Sequence, residues 1–228
     1  MAELLDSLET INKGLAPLSD YNGKFLTLSN LDGEVVGRCR PNLILYQDEL
    51  VDMGLPSGTL WAKKNLGATS ETGWGWYFSW GNIDPHQEGA GYDFSDATYA
   101  NTDGAALTSN ITAANDAATQ NLGSKWRLPT EADFVELFNS DYTTNAWTTV
   151  NSVAGRLVTS KKNGNSLFFP AAGYYSGTSL NGRGSYGCCW SSTWISATTA
   201  RVLLFGSSGV NPQHSDGRRV GFSVRAVQ

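Results

Sequence analysis

In the last quarter of the chain, apolar positions alternate with positions that no packing rule accounts for. The stretch Arg201-Val202-Leu203-Leu204-Phe205-Gly206 shows this best. At strand period, Leu203 and Phe205 share one face, while Val202, Leu204 and Gly206 share the other. The first face reads as core. The second is a set that neither patterning nor turn chemistry demands. A scaffold with one unconstrained face predicts a binding surface rather than a catalytic one.

Elsewhere the pattern predicts further elements. Leu4, Leu5, Leu8 and Ile11 form the apolar stripe of a short helix over 4–13 that ends at Gly14. The same region also fits a heptad count from Met1 to Leu18, which would suit self-association. Gly14 and Pro17 interrupt that count, which favours one docked helix. Two strands, Lys24–Leu28 and Glu34–Arg38, flank a turn containing Asn30, Asp32 and Gly33. Pro41 to Asp48 reads as a connection, so residues 1–47 form an N-terminal appendage and 48–228 the main domain. In the main domain, residues 112–121 are Ala-rich and helical, with Gly123 as the C-cap. A second helix spans Thr130–Phe138, with Thr130 as N-cap, Asp133 at N3 and Phe134, Val135, Leu137 and Phe138 as the buried stripe. Strands are expected at Arg156–Ser160, Ser166–Phe169, Arg201–Phe205 and Gly221–Val227. Helices followed by strands predict an α+β fold.

Composition narrows the function classes. The 228 residues can bury one good core plus a small appendage. Charged residues make up 16% and hydrophobic ones 40%, too apolar for disorder and without the long apolar run of a membrane span. The formal net charge of −5 is unevenly divided. Residues 171–228 hold five Arg and one Asp, with no Lys or Glu, whereas residues 1–170 hold seven Lys and eight Glu. No basic cluster of the kind that tracks phosphates is present, so no nucleic-acid partner is expected. The start, Met1-Ala-Glu-Leu-Leu-Asp, has no basic n-region or long apolar core, which predicts synthesis and folding in a bacterial cytoplasm without a signal peptide. Cys39, Cys188 and Cys189 make no disulfide framework.

Six segments carry a resemblance. They are Asp52-Met-Gly-Leu-Pro-Ser-Gly-Thr-Leu-Trp-Ala, Tyr77-Phe-Ser-Trp-Gly, Trp126-Arg-Leu-Pro-Thr, Phe169-Pro-Ala-Ala-Gly-Tyr, Trp190-Ser-Ser-Thr and Gly221-Phe-Ser-Val-Arg-Ala-Val. In this order they resemble the Fibrobacter major paralogous domain of gut Bacteroidetes, which is related to the formylglycine-generating-enzyme branch of the C-type lectin fold. The resemblance covers residues 50–228 and leaves the appendage unaccounted for. It implies a C-type lectin fold with two helices and mostly antiparallel strands.

A subset of that fold comprises the variable proteins of diversity-generating retroelements, including those of Bacteroides phages and prophages. There a reverse transcriptase rewrites adenines in AAC and AAT codons, an operation that cannot yield Lys, Glu, Gln, Met or Trp. The resemblance thus implies a variable region at about 175–227. With the motif residues held as a frame, the candidate ligand-contacting positions are Tyr186, Cys188, Ile195, Thr199, Val202, Leu204, Gly206, His214, Ser215, Asp216, Gly217, Arg219 and Val220, with Cys189 also fitting. All belong to the permitted residue types. Tyr186 and Arg219 are the expected energetic anchors, because aromatic and Arg side chains dominate such patches.

Other chemistries compete with this reading. The resembled enzyme branch oxidises a substrate cysteine with a cysteine pair, which would give Cys188-Cys189 a redox or copper role. Those enzymes space their cysteines apart, and no His, Asp or Glu lies beside this pair in sequence, which favours exposed thiols left by diversification. His86 and His214 are the two histidines, and His214-Ser215-Asp216 reads as a surface loop rather than a triad, since consecutive side chains do not converge. Asp84, Glu88, Asp93, Asp96 and Asp103 could hold calcium but lack the alternating spacing of a dedicated loop, so a solvated loop is favoured. Trp74, Trp76, Phe78 and Trp80 read as core, with a sugar-stacking platform as the alternative.

The combined expectation is a non-enzymatic, cofactor-free and metal-free receptor-binding protein. It would sit at a phage tail tip and recognise a bacterial surface protein or glycan, with residues 1–47 serving virion attachment or self-association. A fixed glycan-binding lectin or adhesin is the first alternative. A formylglycine-generating-type oxidoreductase is the second.

Overall fold

The computed structural model describes residues 26–29, 35–39, 50–84 and 107–228. The chain divides into two compact units, Met1–Pro41 and Asn42–Gln228. In the first, β1 (Leu26–Ser29) pairs antiparallel with β2 (Val35–Cys39), with a register shift between Leu28 and Ser29. The helix expected at 4–13, and Glu88, Asp93, Asp96, Asp103 and His86 of the acidic loop, lie outside the described residues.

The second unit is α+β, with antiparallel strands predominating. β3 (Leu50–Asp52) pairs with β4 (Leu60–Ala62). A single 3-10 turn at Ala113–Asn115 precedes α1 (Ala117–Leu122), and α2 (Glu131–Leu137) follows. A meander of β5 (Thr143–Val150), β6 (Val153–Ser160) and β7 (Ser166–Pro170) leads to the hairpin β8 (Tyr174–Ser176)–β9 (Ser179–Asn181). The last sheet is β10 (Tyr186–Trp194), β11 (Thr199–Gly206) and β12 (Gly209–Gly217), in that order. Among the described residues no helix is long and apolar enough to cross a membrane.

Local chemistry explains both helices. The Ala-rich run does not form one helix, because Asp116 takes the N-cap position in its middle. One carboxylate oxygen of Asp116 accepts from the N–H groups of Ala118 and Thr119, and the other accepts from Leu128. Burial raises the Asp116 pKa and outweighs those three donors. α2 starts at the expected capping box. Thr130 Oγ1 accepts from the Asp133 N–H at 3.1 Å, and Asp133 Oδ2 accepts from the Thr130 N–H at 2.7 Å. Arg127 adds a guanidinium–carboxylate pair at 2.7 Å. Burial alone would raise the Asp133 carboxyl, but the hydrogen bonds from Arg127 and Thr130 prevail and hold it below its ordinary value.

Gly221–Val227 is not the regular strand its pattern predicts. It threads between segments and bridges each in turn: Tyr175 at Gly221, Phe78 at Phe222, Cys189 at Ser223, and both Trp61 and Arg127 at Val227. Arg225 is fully buried beneath it. Its guanidinium donates to Asn65 Oδ1 and to the carbonyls of Ala62, Lys63 and Phe168, and it lies over the Phe169 ring at 4.6 Å. Trp190 Nε1 donates to the Phe78 carbonyl at 2.7 Å. The six motif segments of the sequence therefore meet one another around this stretch.

The β10–β12 sheet separates two core clusters. Cys188, Trp190, Ala200 and Val202 face the first, with Phe78, Trp80 and Phe222. Cys189, Leu203 and Phe205 face the second, with Trp61, Phe134 and Phe169. The aromatic run at 74–80 is core, as its pattern indicates, but it is split. Trp76, Phe78 and Trp80 join the first cluster, whereas Trp74 packs against a third one formed by Tyr77 and Ala172.

Candidate functional site

Cross-strand partners lie on the same face of a sheet, so the register of β10–β12 can be read as rows of side chains. On the first-cluster face the rows are Tyr186–Gly206–Gly209, Cys188–Leu204–Asn211 and Trp190–Val202–His214, followed by Ala200–Asp216. Between the second and third rows Leu203 stands opposite both Pro212 and Gln213. This β-bulge puts Asn211 and His214 on one face although they are three residues apart.

The rows open into a pocket of about 540 Å³, lined by Tyr174, Tyr186, Cys188, Leu204, Phe205, Gly206, Ser208, Gly209, Val210, Asn211, His214, Asp216 and Phe222. That volume is in the range of small-molecule or side-chain sites. The floor is apolar, formed by Cys188, Leu204 and Phe222. Tyr174 and Tyr186 stack along one side with ring centroids 5.9 Å apart. Gly182 at φ +65° makes room for the Tyr186 ring, since a Cβ there would lie 2.2 Å from it. Partial burial, and then the hydrogen bond with Tyr174, raise the Tyr186 hydroxyl pKa. His214, Asp216 and Asn211 supply the polar side. Asp216 Oδ1 accepts from the Gly217 N–H. Arg156, donating to the Gly206 carbonyl and to Asn145 Oδ1, ties the β11–β12 turn to β6.

Six of the sequence-predicted positions therefore converge here: Tyr186, Cys188, Leu204, Gly206, His214 and Asp216. The others do not line the pocket. Ile195, Thr199, Gly217 and Val220 are half-buried, and Arg219 is exposed. Thr199 and Gly217 pair across β11 and β12. Ser215 points away from His214 and Asp216 because strand side chains alternate.

Several expectations need correction. Val202 is 0% exposed within the first cluster, so no ligand reaches it. Cys189 is buried in the second cluster and leaves the contact set. Cys188 is also buried rather than an exposed thiol, although its side chain forms part of the pocket floor. Burial pushes the Cys188 thiol well above its ordinary range, with Cys189 and Asp216 adding to the effect. Burial pushes Cys189 up to about 12, against the opposing charge of Arg225. His214-Ser215-Asp216 is not a loop but part of β12, the outer strand of its sheet.

Sequence reading missed Tyr174, Ser208, Gly209, Val210 and Asn211. Tyr174 follows the Phe169-Pro-Ala-Ala-Gly motif and was absorbed into the frame, although the pair Tyr174-Tyr175 is an aromatic signal. Asn211 carried no usable signal, because its face depends on the bulge. Among the described residues no group of three or more His, Cys, Asp or Glu is gathered as a metal would require. No family model matches the chain, and no curated protein or solved structure matches it significantly.

Proposed function

We propose that residues 48–228 form a C-type-lectin-type domain of the formylglycine-generating-enzyme-like branch, and that its β10–β12 face is a retroelement-diversified ligand-binding surface. The observation that carries this reading is the convergence of Tyr186, Cys188, Leu204, Gly206, His214 and Asp216 on one pocket. They come from three strands and were singled out as the positions left over when the motif residues are held as a frame. The meeting of all six motif segments around Gly221–Val227 supports the fold. A frame held from the opposite face tolerates changes at the pocket without loss of the backbone.

At the tip of a phage tail, such a surface would recognise a bacterial surface protein or glycan, with residues 1–47 attaching it to the particle or to sister subunits. The reading needs no metal, cofactor or catalytic residue. A cysteine-pair oxidase has no support in the arrangement of Cys188 and Cys189, whose side chains point into different core clusters. A Trp-based glycan platform would have only Trp74 and Trp76 to work with, since Phe78 and Trp80 are buried.

Sequencing the DNA beside the gene tests the proposal. The expected result is a reverse transcriptase gene and a near-copy of codons 175–227 that differs only where the copy has adenine. Flanking DNA with neither would overturn the diversification.

A further inference from the structure

We infer that the pocket on β10–β12 takes a cationic side chain, a guanidinium or ammonium group on an alkyl stem, presented by a protein partner. This rests on the reading of the pocket as a binding site and names the chemistry it selects.

Charge comes first. Among the described residues the pocket lining holds one carboxylate, Asp216, and no Lys or Arg. One oxygen of Asp216 accepts from the neighbouring Gly217 N–H, and no ion pair engages the carboxylate among the described residues. A carboxylate in a concave, partly apolar site is screened less than one on open surface, so a cation entering the pocket gains more there than in bulk water. Shape comes second. Leu204 on the floor and the stacked Tyr174 and Tyr186 give hydrocarbon and ring surface against which a methylene stem can lie. Aromatic walls also attract a cation through their ring quadrupoles. Asn211 and His214 bring further polar atoms to the carboxylate's side of the pocket. An anionic ligand would meet Asp216 with no paired cation in the lining. A neutral sugar would leave the carboxylate's charge uncompensated.

The test uses the full chain and three small probes: Nα-acetylarginine methylamide, Nα-acetyllysine methylamide and the neutral isostere Nα-acetylcitrulline methylamide. Binding is followed by NMR titration and calorimetry, with methyl glycosides in parallel. Both cationic probes are expected to saturate and to shift resonances of Leu204 and His214. Citrulline should bind roughly tenfold more weakly or worse, the cost of losing a charge-assisted hydrogen bond. Asp216→Asn should reduce arginine to the citrulline level, and added salt should weaken arginine but not citrulline. The salt and citrulline comparisons need no variant, so they decide the matter even if Asp216→Asn folds poorly. Equal binding of citrulline and arginine, or no response to either cationic probe, would overturn the inference. Binding of a methyl glycoside in place of the cations would also overturn it while leaving the ligand-binding reading intact. Absence of a neighbouring reverse transcriptase would sink the diversification reading and leave this inference standing.

Discussion

Val202 and Leu204 sit on the same face of the same strand, two residues apart, and meet opposite fates. Val202 is sealed within the first core cluster between Trp190 on β10 and His214 on β12. Leu204, in the next row, is half-exposed and forms pocket floor. Alternation along β11 makes these positions equivalent. What separates them is what lies opposite, since Val202 is enclosed within the first cluster whereas Leu204 packs only against its margin and lines the pocket. A strand's periodicity therefore states which side chains share a face. The exposure of that face is decided by distant parts of the chain.

The largest test of the covered end is the frame beneath it. Arg225→Leu would leave Asn65 and three backbone carbonyls without their donor. Each buried acceptor left without its donor costs about 1–3 kcal/mol. Urea unfolding should show that loss, or the variant should fail to accumulate. Next is the direct comparison. Val202→Asp buries an uncompensated carboxylate and should cost about 3–5 kcal/mol. Leu204→Asp, facing the open pocket, should cost about 1 kcal/mol or less. Equal midpoints for the two variants would sink the distinction between the two ends.

Asp133→Asn comes third, with an expected loss of about 1–3 kcal/mol at neutral pH. The Asp133 carboxyl is held below its ordinary value, so its stabilisation is present above 3.8 and is lost as pH falls through the lower folded value. The gap between wild type and variant should therefore close in acid. A gap that is unchanged down to pH 2 would contradict this.

The thiols give an effect of the opposite sign, confined to alkaline pH. In the unfolded chain Cys189 ionises near 9.0, and in the folded protein near 12. Its contribution is fully present below 9.0 and falls away as pH rises from there to about 12. Cys189→Ala should flatten that alkaline slope, and iodoacetamide should label Cys188 and Cys189 quickly only after unfolding. The smallest effect is expected at the pocket rim. Asn211→Ala and Ser208→Ala should change stability by about 0.5 kcal/mol or less, while altering which ligands bind.

Much of the frame was legible because it is written locally. The Thr130–Asp133 capping box, Gly123 as C-cap, and the pairing of Leu203 with Phe205 all rest on residues a few positions apart. β12 was less legible. Its sequence, Gly-Val-Asn-Pro-Gln-His-Ser-Asp-Gly, carries turn-forming residues throughout, and it is a strand because β11 supplies the hydrogen bonds. Pro212 is tolerated because β12 is the outer strand and bulged at that point. β10 was hidden in a similar way, since Tyr186–Trp194 mixes small, polar and aromatic residues that look like motif and loop.

By itself the sequence determined which residues alternate along β11, where α2 starts and how it is capped, and that Gly123 ends α1. These depend on side-chain chemistry and short-range geometry, which a linear chain carries directly. Tertiary structure alone decided that Leu204 and Gly206 line the pocket while Val202 does not, and that both thiols are buried. It also turned Asn211 to join His214 and Asp216 around one pocket. Burial and convergence are properties of what lies opposite a residue, and for this face the opposing atoms come from Tyr174, from the bulge in β12 and from the Gly221–Val227 segment.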